Sequence, residues 1–281
     1  MDFSIKENIL IDKIVEQALL EDIGTGDITS ESIAPYELKA KGIIKTSEEG
    51  VVAGLDIICL VFKKLDPEIC FQSKIKDGKT ILPGEVLAKI SGSARTILKG
   101  ERVALNFLQR MSGIATITFK FCQQVKDFPV RIVDTRKTTP GLRILEKYAV
   151  RMGGGYNHRF GLYDAVLIKD NHIVVAGGIK SAVNSVRKQI SHTVKIEVEV
   201  ENLSQLQEAL KVQVDIIMLD NMDLETMKEA VKMVKGKTLI EASGEITLEK
   251  VRKIAQIGVD LISVGALTHS VKSLDISMEI I

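Results

Sequence analysis

Six short apolar runs, each leaving into a charged residue or a glycine, constrain this 281-residue chain more than any other feature. They span 130–133, 165–168, 196–200, 216–219, 238–242 and 261–264. Helical patterns of one length class lie between the later runs. Asp223 or Leu224 opens one of them, and Thr247 caps another that Gly258 ends. Strands alternating with helices in this way predict βαβ units and a parallel sheet. The runs exit into Asp134-Thr135-Arg136-Lys137, Lys169-Asp170-Asn171-His172, Asp220-Asn221, Ser243-Gly244 and Gly265, while the third carries Glu197 and Glu199. Parallel α/β folds gather ligand chemistry at the carboxyl ends of their strands. One site drawn from six elements is therefore expected. No Gly-rich nucleotide fingerprint follows the first run, so a closed or partly open barrel is favoured over a doubly wound sheet.

The first hundred residues have a different texture. Residues 8–21 place Ile9, Leu10, Ile14, Val15, Ala18 and Leu19 on one helical face, and 54–64 predict a second helix. Short β-like pieces at 40–46, 71–76 and 86–91 are broken by Glu49-Gly50, Asp77-Gly78 and Pro83-Gly84 turns, which reads as an α+β segment. From about residue 98 a long helical pattern begins, and a helix continues beyond Gly113 to about 125. Near the end, Leu274, Ile276, Met278 and Ile280 alternate as in a strand.

Composition excludes several functions. A net charge of +1 provides no global field for nucleic acid or an anionic membrane. Cys59, Cys70 and Cys122 are scattered and never spaced as CxxC, which argues against a disulfide framework or zinc site and for a reduced cytoplasm. The opening MDFSIKENIL lacks the apolar core of a signal peptide. Any anionic ligand must then be held by a local cluster of cations, and residues 131–172 supply one: eight Lys/Arg against four acids. Lys147 and Arg151 read as a solvated helix face. Arg136, Lys137 and Lys169 stand at strand ends, where they point into a barrel's site. Such cations suit a small ligand with several negative charges, Arg pairing bidentately and Lys as a point charge. Gly153-Gly154-Gly155 reads as a flexible approach that lets His158 and Arg159 fold over a ligand. The two turns Ser243-Gly244 and Gly265-Ala266 present backbone N–H groups suited to a phosphate. Glu197 and Glu199 share one strand face, and Asp220 ends the neighbouring strand; such oxygen ligands suit Mg²⁺. Pairing of Glu197 with Lys169 or Lys195 is the competing reading.

Taken together, EDIGTGDITS, GERVALNFLQRMSGIAT, DTRKTTPGLR, RMGGGYNHRFGLYDAVLIKDNHI, IEVEVENL, MLDNM, EASG and ISVGALTHS resemble the quinolinate phosphoribosyltransferase (nicotinate-nucleotide pyrophosphorylase, carboxylating) family over nearly the whole chain. The resemblance implies an N-terminal α/β sandwich (residues 1–104, completed by 271–281) and a partly open parallel α/β barrel (105–270). It implies a cytoplasmic, Mg²⁺-dependent phosphoribosyltransferase of NAD synthesis, a homodimer or higher homo-oligomer whose active site is shared between subunits. Its substrates would be quinolinate and phosphoribosyl pyrophosphate, giving nicotinate mononucleotide, pyrophosphate and CO2.

Carried onto this chain, Arg136 and Arg159 would bind quinolinate, with Thr135, His158 and Lys169 beside them. Lys137 would lie where quinolinate meets the phosphoribosyl donor, and Arg102 would reach in from a neighbouring subunit. Glu199 and Asp220 would face the ribose and its Mg²⁺, and Ser243, Gly244, Gly265 and Ala266 would hold phosphate. Glu245 departs from the family's usual glycine or asparagine; a carboxylate beside a phosphate pocket is expected to point outward. A pyrophosphorylase-like protein of molybdenum-transport operons and a non-catalytic anion-binding barrel are the alternatives. The carboxylates Glu199 and Asp220 count against the second.

Overall fold

The structure is a computed structural model that describes residues 5–281. The polar start read in the sequence falls partly on residues 1–4, outside the described residues. Helix α1 (Ile5–Ile23) and the short α2 (Ile28–Ile33) precede β1 (Lys39–Thr46) and β2 (Gly50–Val51). Then come α3 (Leu55–Leu65), β3 (Cys70–Ser73), β4 (Thr80–Ile81), β5 (Val86–Ser93) and the long α4 (Ala94–Val125). β6 (Arg131–Val133), α5 (Arg143–Met152), β7 (Val166–Ile168), α6 (Asp170–Ala176) and α7 (Ile179–Arg187) follow. The chain continues through β8 (Ile196–Val200), α8 (Leu203–Lys211), β9 (Ile216–Asp220), α9 (Leu224–Val234) and β10 (Leu239–Ser243). It ends with α10 (Leu248–Ile257), β11 (Leu261–Ser263), α11 (Ala266–His269) and β12 (Ile276–Ile280).

The chain forms two compact units. One takes the residues up to 119 with 138–154 and 268–281; the other takes 120–137 and 155–267. The first unit holds an antiparallel sheet in the order β12-β1-β5-β3 and the β2-β4 pair. Strand β12 returns to β1 in register from Gly42↔Ile280 to Thr46↔Ile276, the strand that the alternation at 274–280 predicts. Helix α3 buries Leu55, Ile57, Ile58, Val61 and Phe62, each worth about 1.5–3 kcal/mol of transfer free energy. Gly113 does not interrupt α4. It is small because the Lys272 carbonyl and Val271 pack against its Cα, and any Cβ there would overlap them.

In this unit α5 corrects two expectations. Lys147 is not on a solvated face: it is 1 % exposed, and every residue of α5 from Ile144 to Val150 is buried, while Arg151 is exposed. Charge alone misplaces Lys147 because its burial is set by the elements packed around α5 and not by residue type. Nor is Gly153 part of a flexible approach. It ends α5 with its Cα pressed on the Ala115 carbonyl and Thr118 of α4, where no larger residue fits.

The second unit is built on six parallel strands in the order β6-β11-β10-β9-β8-β7. β6 and β7 are the two ends of that order, so the barrel is open between them. On the free edge of β6, Tyr156 makes a single bridge, donating to the Ile132 carbonyl and accepting from the Asp134 N–H. The interior contains fully buried Val198, Val200, Ile217, Leu219, Ala242 and Ile262. Helices cover the sheet, so most strand positions are apolar, with Glu197 and Glu241 as buried exceptions. Asn202 and Asp223 cap α8 and α9 by accepting backbone N–H bonds. Thr247 stands at the cap position of α10 without making that bond, and Gly258 ends the helix at φ 94°. No helix among the described residues is long and apolar enough to cross a membrane.

Candidate active site

Because the six strands are parallel, their carboxyl ends lie at one end of the sheet, and this brings together most of the residues singled out from the sequence. Arg136 and Lys137 follow β6, Lys169 follows β7, Glu199 lies near the end of β8, and Asp220 and Ser243 end β9 and β10 in register with each other. Gly265 and Ala266 follow β11 beside them. The Lys169 ammonium donates to Glu199 Oε2 at 2.6 Å. Lys195 pairs instead with Asp215 at 2.7 Å, so neither lysine neutralises Glu197. Asp220 Oδ2 accepts from Asn221 Nδ2 at 2.7 Å. Gly244, at φ 95°, lies so close to the Asn221 side chain and backbone N that a Cβ would overlap both. Glu245 points into solvent, as expected, from a left-handed backbone at φ 40°.

The NHR segment is fixed from below. Asp134, 0 % exposed, accepts from Asn157 Nδ2 at 2.5 Å and from the His158 N–H at 2.9 Å. His158 Nδ1 accepts the Arg159 N–H at 2.7 Å, and its Nε2 lies 3.0 Å from Glu197 Oε2 and 3.6 Å from Glu241 Oε2. Glu197 thus faces a histidine rather than a lysine, because its side chain lies deeper in the barrel than an ammonium at a strand end can reach. The Arg159 guanidinium donates through Nη1 to the Ala165 carbonyl at 3.2 Å, while its Nε–H is buried with no partner among the described residues. Burial, and then the neighbouring Arg136 guanidinium, disfavour the charge on Arg159. An unsatisfied buried donor next to a second guanidinium is a site prepared for an anion, since a carboxylate there satisfies the donor and relieves the repulsion.

Glu241 was not among the residues picked out from the sequence. The signal was an acid in the middle of an otherwise buried strand, the same signature that Glu197 carries. Burial first, then the Glu197 carboxylate, pushes its pKa up to about 8. Ligand atoms of His158, Glu197 and Glu241 lie within 4.8 Å of one another, a buried cluster that could hold a metal ion by its spacing.

Two further sequence candidates are Thr135 and Arg102. Thr135 makes a local turn, accepting the Lys137 N–H at 3.0 Å. Arg102 sits on α4 in the other unit, exposed, and pairs with no group among the described residues; the adjacent Glu101 does not engage it. Sequence reading also missed a buried network around Thr139, the residue that follows DTRKT. Buried Glu146 accepts from Arg110 Nε at 2.9 Å and from the Thr139 N–H at 3.1 Å. Arg110 in turn reaches Thr139 Oγ1 at 2.6 Å and the Thr268 carbonyl at 3.1 Å.

An open parallel α/β barrel with arginines and lysines at some strand ends, and carboxylates and glycine turns at others, defines an enzyme class that handles small polyanions. The C-terminal-domain model of quinolinate phosphoribosyl transferase matches residues 114–279 and the N-terminal-domain model matches 27–112. A probable nicotinate-nucleotide pyrophosphorylase (carboxylating) of Bacillus subtilis is 48% identical over 273 residues, 97% of this chain and 94% of the relative. NadC from Streptococcus pyogenes superposes with a TM-score of 0.94 at 43% identity, covering 99% of this chain and 98% of that one. The nicotinate-nucleotide pyrophosphorylase of Ehrlichia chaffeensis gives 0.93 at 41% identity, with both chains covered in full, 100% each. This chain belongs to the quinolinate phosphoribosyltransferase family.

Proposed function

We propose that this chain is a quinolinate phosphoribosyltransferase, joining quinolinate to phosphoribosyl pyrophosphate and releasing nicotinate mononucleotide, pyrophosphate and CO2. The observation that carries the reading is the unsatisfied, buried Nε–H of Arg159 beside Arg136, a pocket suited to a dicarboxylate. Arg136 and Arg159 bind the carboxylates, with Thr135, His158 and Lys169 beside them. Lys137 stands at the junction with the phosphoribosyl donor. Ser243, Gly244, Gly265 and Ala266 take the 5′-phosphate on their turns. Glu199 and Asp220 face the ribose, where a carboxylate stabilises the positive sugar carbon that develops as pyrophosphate departs.

Glu199 and Asp220 are oxygen donors near or at strand ends, a set that fits Mg²⁺ held by one or two carboxylates plus substrate oxygens. When bound, Mg²⁺ supplies charge to stabilise the leaving pyrophosphate. The pyridine nitrogen attacks the sugar carbon and becomes cationic; the adjacent carboxylate then leaves as CO2, the bonding pair stays on the ring carbon beside the cationic nitrogen, and a proton from water takes the vacated position. No side chain forms a covalent bond in this scheme; the residues position and polarise. The active site is shared in a homodimer or higher homo-oligomer, with Arg102 entering from the partner. Its exposure and lack of a partner among the described residues support that role. The three free cysteines are in keeping with the cytoplasm.

The test is release of labelled CO2 from carboxyl-labelled quinolinate. Turnover is expected only with both phosphoribosyl pyrophosphate and a divalent metal, and nicotinate should be a poor acceptor. Losing one charge-assisted contact costs roughly 1.5–3 kcal/mol. Equal turnover of nicotinate would rule the assignment out.

A further inference from the structure

His158, Glu197 and Glu241 form a chain of polar contacts within the barrel, and its direction can be read from the donors. The Arg159 backbone N–H can only donate, and it donates to His158 Nδ1 at 2.7 Å. Nδ1 is therefore the bare, accepting nitrogen. The ring proton is on Nε2, which donates to Glu197 Oε2 at 3.0 Å, with Glu241 Oε2 at 3.6 Å. A histidine that ligates a metal has the reverse arrangement, with the ligating nitrogen bare and the other donating its N–H to a carbonyl or carboxylate. An ion on Nε2 would require the proton to move to Nδ1, where it would meet the Arg159 N–H head on. The spacing of the trio admits an ion, but the orientation of the ring does not.

Glu197 Oε1 and both oxygens of Glu241 are buried without a donor. A carboxyl pair is satisfied there when one proton sits between the two acids, which also leaves one buried charge in place of two. The acid pair then offers His158 one fixed acceptor. Both ring nitrogens are engaged inside the chain, so the ring acts on the residue that follows it.

We propose that Glu197 and Glu241 are positioning residues. They hold His158 in its Nε2–H tautomer, and the ring, through Nδ1, holds the Arg159 backbone so that its buried Nε–H stays aimed at the substrate carboxylate. This rests on the reading of Arg159 as a quinolinate ligand. It assigns the buried trio to orientation, and leaves the metal to Glu199 and Asp220.

The experiment combines nitrogen NMR of histidine-labelled full-length protein with steady-state kinetics of the variants. In the wild type the His158 signals should be those of the Nε2–H tautomer, and Mg²⁺ or Zn²⁺ added alone should leave them in place. Glu197→Gln retains an acceptor and should keep both the tautomer and near-normal kinetics. Glu197→Leu should lose the fixed tautomer and raise the quinolinate KM by roughly tenfold, the scale of one hydrogen bond, with the phosphoribosyl pyrophosphate KM unchanged. If Glu197→Leu does not fold, Glu241→Leu takes its place, with Glu241→Gln as its conservative control. An Nδ1–H signal in the wild type, loss of the Nε2–H on adding either metal, or equal rises in both KM values would overturn the proposal. The tautomer and metal readings need no substrate. Failure of wild-type quinolinate turnover would instead count against the proposed activity.

Discussion

Glu245 has a left-handed backbone, φ 40°, directly after Gly244 at φ 95° in the turn between β10 and α10. Its side chain is exposed, so the strain is not offset by packing. A side-chain-bearing residue in this region costs about 1–2 kcal/mol. Glycine avoids that cost but adds about 0.5–1 kcal/mol of chain entropy to be lost on folding. Asparagine tolerates the conformation and keeps a side chain. Glu245→Gly and Glu245→Asn should therefore each stabilise the protein by about 0.5–1 kcal/mol, raising the urea midpoint by roughly 0.2–0.3 M at a slope near 3 kcal/mol/M. Glu245→Gln separates backbone from charge: it removes the carboxylate but keeps the strain. It should leave the midpoint unchanged while tightening phosphoribosyl pyrophosphate binding by under about 0.5 kcal/mol, since an exposed charge is screened within about 8 Å. Urea unfolding followed by circular dichroism, with a binding isotherm for each variant, reads both effects. If Gln stabilises as much as Gly and Asn, charge rather than backbone geometry is responsible, and the strain argument is wrong.

Calorimetric titration should show Arg136→Ala losing quinolinate binding, whereas Glu199→Ala and Asp220→Ala keep it and lose turnover; loss of binding in a folded Asp220→Ala would refute that division. Arg102→Ala and Lys137→Ala chains should be nearly inactive alone. Co-refolded in equal amounts, about half the chains enter mixed dimers with one intact site, which restores roughly a quarter of wild-type activity; activity that stays at single-variant levels after exchange is verified by mass would refute sharing. Glu241 keeps its proton in the folded chain up to about pH 8, while its ordinary value is 4.5. Across that window the unfolded chain has already lost the proton, so the wild type loses stability as pH rises, and Glu241→Gln should gain on it between pH 5 and 8 in urea midpoints. A constant difference over that range would place the protonated group elsewhere.

The sequence by itself determined the architecture and the rim of the site. Hydrophobic period and capping residues are local properties, so the six runs and their helices were legible. Parallel order then put Arg136, Lys169, Glu199, Asp220, Ser243 and Gly265 at one end. Strand alternation likewise marked β12 before any partner for it was known. What lies beneath the rim was decided only by tertiary structure. Glu197 looked equally able to pair with Lys169 or Lys195, but reach and depth in the barrel gave Lys169 to Glu199, Lys195 to Asp215 and Glu197 to His158. Lys147 looked solvated until α5 was found buried on all sides, and Gly153 looked mobile until α4 was found against its Cα. Residue type and spacing report which face of an element is apolar, but not what another element, distant in the chain, will press against it. Buried charges and close-packed glycines are set by those distant neighbours, and so they become readable only once the chain has folded.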